Sequence, residues 1–491
     1  MFAPIHTWSQ SLSENLGTTY DTANMAIFRL QSAYLPQGWT RDALVTVSPD
    51  GIITAIAGAE TQPQPAQEES LAERIDGIVV PGMPNAHSHA FQRAMAGNTE
   101  YRLSARDSFW TWRQAMYALA NHIGPEDLQA VAAQLFIEML KSGYTSVAEF
   151  HYLHRPIAGA QYSGANPLWE AIGNAAANAG IGLTFLPTLY QSSDFGGAPL
   201  KPEQARFALQ TDEFVRAIEQ RIDADRRSGS RTLRTGAAFH SLRAVPLDRL
   251  RQAALALRTI DSTMPVHIHV AEQLPEVRAC ESATGRRPIE LLLDQDLLTK
   301  HWCVVHATHA TAKELQGIAT AGATVCVSIS TEANLGDGCF DAARFFKSAG
   351  RLCIGSDSQS TVNPAEELRW LEYQQRLRKK RRGVLANKSE SHVGTRLWRD
   401  AALGGAQAIG QPVGTIAVGH RADWLVLDAS HPAMAGAVAE NALDRLVFAG
   451  ADNAIRDVMV GGRWVVKDRR HHADEQSRED FMRVMKSLCE G

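Results

Sequence analysis

Two patterns of apolar residues run through the chain: short continuous stretches rich in Val, Ile, Leu and Thr, and longer intervening stretches that read as helix. Eight short stretches fall between residues 77 and 357: Gly77 to Pro81, Thr145 to Phe150, Gly182 to Pro187, Thr235 to Phe239, Pro265 to Val270, Trp302 to Val305, Ala323 to Ser328 and Leu352 to Gly355. Parallel strands covered on both faces need continuous apolar runs, so this repetition predicts an α/β protein built on a (β/α)8 TIM barrel.

Shorter strand signals flank the barrel. Ala26 to Leu30, Asp42 to Val47 and Ile52 to Ile56 precede it, with a turn at Pro49-Asp50-Gly51. Ala422 to Asp428, Val458 to Val460 and Trp464 to Val466 follow it. Neither set has enough strands for an independent sheet, so 25–76 and 408–470 are expected to form one small composite β-domain around a barrel at 77–407. Residues 1–24 are polar and aperiodic and are expected to be a disordered extension. Within 471–491, a charged amphipathic helix from about Glu475 to Cys489 closes the chain.

Composition narrows the class. The 491 residues exceed one compact core, and 45% hydrophobic with 21% charged residues is ordinary for a soluble protein. A net charge of −4 gives no general attraction to nucleic acid or to anionic membranes. The one strongly basic run, Arg376 to Arg382, reads as a solvated helix end. No uncharged apolar run is long enough to span a bilayer, and no basic segment followed by an apolar one opens the chain. Six cysteines are scattered without a CxxC pair, which fits a reducing cytoplasm with neither disulfides nor a cysteine metal site.

Chemistry collects where the strands end, which is where a barrel places its working groups. His87-Ser88-His89 is weak evidence by itself, since 17 histidines supply nearly one His-x-His by chance. Its position just beyond the predicted first strand strengthens the case. The fifth strand carries His267-Ile268-His269, of which His269, nearer the exit, is the candidate ligand and His267 a core residue one layer deeper. Glu272 follows where a carboxylate can overhang a metal, His306 ends the sixth strand, and Asp357 ends the eighth. An acid directly after a buried strand has to be paired, hydrogen-bonded or metal-bound. Two or three imidazoles and a carboxylate suit zinc or another divalent first-row ion.

These residues resemble the amidohydrolase superfamily across 26–470. In that group His-x-His follows strand one, His lies on strands five and six, and Asp follows strand eight. A strand-four Lys usually marks the dinuclear members. This chain has His240 there, so the resemblance implies one zinc per subunit held by His87, His89, His269 and Asp357, with Glu272, His306 and Asp357 catalytic. The longer strings Pro81 to Gly97, Phe239-His240-Ser241-Leu242-Arg243 and His267 to Gln273 are similar to the formimidoylglutamate deiminase branch. That likeness implies hydrolysis of N-formimino-L-glutamate to N-formyl-L-glutamate and ammonia, in histidine degradation, by a homodimer. It also implies substrate contacts from Gln92, Arg113, Tyr152, His240 and Arg243.

The chemistry fits such a substrate. Two carboxylates call for planar bidentate donors, which Arg113 and Arg243 provide. Arg113 lies in the long first loop, within Phe109-Trp110-Thr111-Trp112-Arg113, a segment able to cover the pocket or to cross into a neighbouring subunit. An aminohydrolase acting on a purine, pterin or triazine ring is the competing enzyme class; its pocket needs an apolar slot and has less use for two arginines. A barrel scaffold without catalysis is the third possibility, and the intact ligand set argues against it.

Overall fold

The computed structural model describes residues 25–58, 72–101, 109–157, 162, 164–450 and 453–490. The expected disordered extension, 1–24, lies outside them. Four strands come first: β1 (Ala26–Leu35), β2 (Gly38–Val47), β3 (Ile53–Ala57) and β4 (Glu73–Pro81). The barrel strands are β5 (Met83–Ser88), β6 (Tyr144–His151), β7 (Gly182–Leu189), a broken fourth strand β8 (Leu233–Thr235) and β9 (Ala237–Phe239), then β10 (Val266–Val270), β11 (Trp302–His306), β12 (Thr324–Val327) and β13 (Arg351–Ile354). After them come β14 (Trp424–Leu427), β15 (Ile455–Val460), β16 (Arg463–Lys467) and β17 (Arg470–His471).

Parallel pairing runs from β5 round to β13 in sequence order, as the (β/α)8 expectation requires. The ring closes at its C-terminal rim through main-chain bonds. Ser356 and Asp357 each donate an N–H to the His87 carbonyl at 3.0 Å, and His89 donates to the Asp357 carbonyl at 3.1 Å. This approach depends on Gly355, where a Cβ would stand 2.7 Å from both the Cβ and the carbonyl oxygen of His87.

One expected strand is corrected. Gly77 to Pro81 is not the first barrel strand; it belongs to β4, which pairs parallel to β1 and antiparallel to β14 in the terminal sheet. The barrel begins at Met83, so the boundary expected between 76 and 77 falls inside β4. His87 consequently sits within the first barrel strand and His89 one residue beyond it, rather than both in a following loop. An apolar run covered on both faces looks the same in either sheet, and Gly82 alone separates the two strands.

The terminal strands form one sheet ordered β17-β16-β15-β14-β4-β1-β2-β3, with its own core of Phe28, Leu30, Val45, Val79, Trp424 and Met459 among others. It joins the barrel through polar contacts that are themselves buried. Arg421 pairs with Asp423 at 2.7 Å, both side chains wholly buried, and its guanidinium also donates to the Ser146 hydroxyl of β6 at 2.6 Å. Trp398 donates its indole N–H to the Pro81 carbonyl at 3.0 Å. A buried ion pair contributes little net stability, but losing one partner would leave the other charge stranded.

The helices that cover the barrel carry ordinary end signals. Pro125–Ser142 has Pro at its first position, Glu126 and Asp127 in its first turn, and a left-handed Gly143 at its end. It buries Leu128, Val131, Leu135 and Leu140. The closing helix spans Asp474–Glu490, with Asp474 2.9 Å from Lys141. Cys280, Cys303, Cys326 and Cys353 are buried free thiols and Cys339 is an exposed one. Among the described residues no helix is long and apolar enough to cross a membrane.

Candidate active site

At the C-terminal rim, four groups distant in sequence converge. His87 lies in β5, His89 just beyond it, His269 near the end of β10 and Asp357 after β13; one ligand atom from each lies within 4.8 Å of all the others. The His87 and His269 Nε2 atoms are 3.0 Å apart, and the Nε2 atoms of His87 and His89 each lie 3.4 Å from Asp357 Oδ1. The backbone turns sharply where these groups emerge. Ala271, His306, Ala307, Asp357 and Gln359 all adopt positive φ without being glycine, between +47° and +70°. Left-handed residues cost about 1 kcal/mol or more each and gather where surrounding structure enforces them.

The donor set fits a divalent first-row cation. His89 Nδ1 lies 2.8 Å from the Phe150 carbonyl and His269 Nδ1 2.9 Å from the His240 carbonyl, so each carbonyl takes the Nδ1 hydrogen and leaves an Nε2 lone pair facing the cluster. Burial lowers the pKa of His87 and His269 and takes that of His89 to about 3. Burial alone would raise Asp357, but the imidazole of His87, with His306 and His89, holds it well below the usual carboxylate range. Three neutral imidazoles and one ionised carboxylate form a zinc-type set.

His306 and Glu272 stand beside the cluster. His306 Nε2 is 3.7 Å from Asp357 Oδ2 and 3.8 Å from Glu272 Oε1, while Nδ1 is 3.3 Å from the buried Glu332 carboxylate. Burial disfavours a charged His306, yet Glu272, Glu332 and Asp357 outweigh it and raise its pKa well above the ordinary value. Burial lifts Glu272 to about 7, with the neighbouring Asp357 and Glu276 adding to the shift and His306 opposing it.

A cavity opens over these groups. Its lining brings together His89, His269, Glu272, His306 and Asp357 with all five expected substrate contacts: Gln92, Arg113, Tyr152, His240 and Arg243. Gln92 donates to the Tyr152 hydroxyl at 2.7 Å. His240 packs on Tyr190, and burial followed by the Arg243 charge keeps it neutral. Arg243 donates to the Ser193 carbonyl at 3.3 Å. Arg113 comes from the helix Phe109–Ala120 of the same chain, over the Tyr117 ring, and burial and the charge of Arg243 both lower its pKa. Two guanidinium groups thus face one small cavity.

Comparison with known proteins agrees with this rim. The amidohydrolase family model matches residues 78–465. The chain belongs to the amidohydrolase family. Formimidoylglutamate deiminase of Pseudomonas aeruginosa is 46% identical over 95% of this chain and 100% of its own length. The 5-methylthioadenosine/S-adenosylhomocysteine deaminase of Shouchella clausii is more distant, 24% identical over 86% of this chain and 88% of its own. Among solved structures, an amidohydrolase from Brucella melitensis superposes with a TM-score of 0.86 at 38% identity, covering 94% of this chain and all of that one. A zinc-complexed atrazine chlorohydrolase from Arthrobacter aurescens shares the fold, with a TM-score of 0.77 at 18% identity over 94% and 99% of the two chains.

Several groups in this amidohydrolase site escape a reading by strand ends. Glu276 accepts the backbone N–H groups of Ala271 and Glu272 at 3.2 and 3.0 Å. Glu332 braces His306 from the short helix Ile329–Asn334, and Asp337 accepts from the Gln273 side chain. All three follow a strand exit by several residues, where an acid reads as solvated. Gln273-Leu274-Pro275-Glu276 did carry a signal, an acid in the first turn of a helix with Pro at its second position. His267, one layer down, donates its Nε2 hydrogen to the Ala408 carbonyl, 2.8 Å away, and takes no part in the cluster.

Proposed function

We infer that this amidohydrolase is a formimidoylglutamate deiminase, converting N-formimino-L-glutamate and water to N-formyl-L-glutamate and ammonia. The observation carrying the reading is that the cluster of three histidines and an aspartate borders, through His89, His269 and Asp357, a cavity also lined by Glu272 and by two arginines, Arg113 and Arg243. The 46% identity to a formimidoylglutamate deiminase over nearly the whole chain supports it.

His87, His89, His269 and Asp357 would hold one divalent cation, best suited to zinc, which lowers the pKa of water toward about 7 when bound. Glu272 accepts the proton that water gives up as its oxygen adds to the formimino carbon. Glu272 then delivers that proton to the nitrogen that leaves; as ammonia departs and the carbonyl of the formamide forms, the remaining hydroxyl proton passes to the carboxylate just freed and on to solvent. His306, fixed between Glu332 and Asp357, faces the oxygen side and stabilises charge on the tetrahedral intermediate. Arg113 and Arg243 take the two substrate carboxylates, and Gln92 with Tyr152 supplies neutral hydrogen bonds on the far wall.

Ammonia release is the test, run with and without added zinc over N-formimino-L-glutamate, other formimino and guanidino acids, purines and triazines. Zinc-dependent release from the formimino dicarboxylate is expected. Turnover of a ring substrate with none of the dicarboxylate would reject the reading.

A further inference from the structure

Glu276 lies in the cavity wall, yet its carboxylate turns back on the main chain. It is the third residue of the helix Leu274–Thr284, whose N-cap is Gln273. Acids at that position normally cap the first helical turn. Here the two oxygens separate: one accepts the N–H of Ala271 at 3.2 Å, and the other accepts the N–H of Glu272 at 3.0 Å. Ala271 has φ +54°, so the turn bringing Glu272 off β10 is a left-handed bend at a non-glycine residue. Such a bend persists where neighbouring contacts impose it. Two further ties act on the same turn: the Ala271 carbonyl accepts from the His309 N–H at 3.0 Å, and Gln273 donates its side-chain amide to Asp337.

We propose that Glu276 is a positioning residue for the proton shuttle: its bidentate grip on the Ala271 and Glu272 amides fixes the left-handed bend that aims the Glu272 carboxylate at the metal cluster. This rests on Glu272 being the shuttle, as proposed above. A general base has to reach its proton within hydrogen-bond distance, so a small rotation of this bend lowers turnover without emptying the pocket. Glu276 and Arg243 both line the cavity, and the Arg243 charge acts on this carboxylate. A competing role in setting substrate affinity is therefore separable only by kinetics.

The test is a double-mutant cycle on zinc-loaded enzyme, using the best substrate of the ammonia-release panel. Wild-type turnover in that panel reports on the proposed function, and the cycle reports on Glu276. E276Q keeps the shape but replaces one acceptor oxygen with an N–H donor. It is expected to lower kcat by about 30- to 100-fold with KM within about threefold and zinc content unchanged. E276D is expected to recover part of that loss. In an E272Q background, adding E276Q should leave the residual rate unchanged, because the loss acts through a carboxylate that is gone. Equal fold losses in both backgrounds, or a rise in KM at unchanged kcat, would overturn the proposal. Thermal unfolding of each variant supplies the control: a purely structural role predicts a lowered Tm with kcat per folded, zinc-bound molecule unchanged, and that result also overturns it.

Discussion

The Nε2 atoms of His87 and His269, residues 182 apart in sequence, face each other at 3.0 Å. Burial keeps both rings from protonating, so the pair gains from one shared cation and resists carrying two protons. Chelation is therefore expected to abolish turnover and stoichiometric zinc to restore it. H87A should purify without bound zinc, measured by atomic absorption, and zinc at 100-fold over its Kd should stabilise the wild type by about 2.7 kcal/mol and leave H87A unmoved. Protons compete for the same lone pairs, so zinc occupancy falls as pH falls. Full activity after exhaustive metal removal would contradict this.

Glu272 has a pKa raised to about 7, and a cation beside it draws that value downward. As a base it works only when ionised, so kcat/KM should rise with pH along a limb at or below about 7 and then level. E272Q should retain zinc, lose about 10²- to 10⁴-fold in kcat, and lose that limb. A pH profile of E272Q matching the wild type would assign the limb elsewhere.

Arg243 presents a planar fork that a thermally mobile ammonium does not reproduce. Removing one buried partner of a charged hydrogen-bonded pair costs about 2–4 kcal/mol, so R243M is expected to weaken kcat/KM for the dicarboxylate by roughly 30- to 1000-fold. R243K should recover only part of it. The decisive comparison is a formimino acid lacking one carboxylate: its kcat/KM should fall far less in whichever arginine variant has lost its partner.

Glu367 is wholly buried, accepts the Ser330 N–H at 3.2 Å, and has its pKa raised to about 8, chiefly by burial. The folded state therefore holds a proton that the unfolded chain releases above about 4.5. Between those values the folded state binds more protons, so its stability falls as pH rises, by an amount on the order of a few kcal/mol. E367Q should flatten the decline between pH 5 and 8 in urea unfolding, as that window lies between the unfolded value of about 4.5 and the folded value of about 8. An unchanged slope would remove Glu367 as its source.

Much of the site was legible because a barrel concentrates chemistry at strand exits. His269, His306 and Asp357 each end or follow a continuous apolar run, and that position identified them. The first strand was not legible in the same way. Met83-Pro84-Asn85-Ala86-His87-Ser88 carries Pro, Asn and His where a strand signal expects Val or Ile, whereas the preceding Gly77 to Pro81 looks apolar enough to be mistaken for it. Hydrogen-bond partners decide such cases, and those lie hundreds of residues away in β14. Glu276 and Glu332 were missed for a related reason, since each acts through a backbone or an imidazole that folding alone brings near.

Gly82 is the only residue between β4 and β5, and β5 carries His87. The sheet made from both ends of the chain is thus mechanically in series with the metal cradle. Strain applied at β1 or β14, whether from a truncation or from a fused partner, has a short and stiff route to the first imidazole. Tags and deletions near either end accordingly belong in the same experiments as substitutions at the rim, with zinc retention as the gauge of how far the disturbance has travelled.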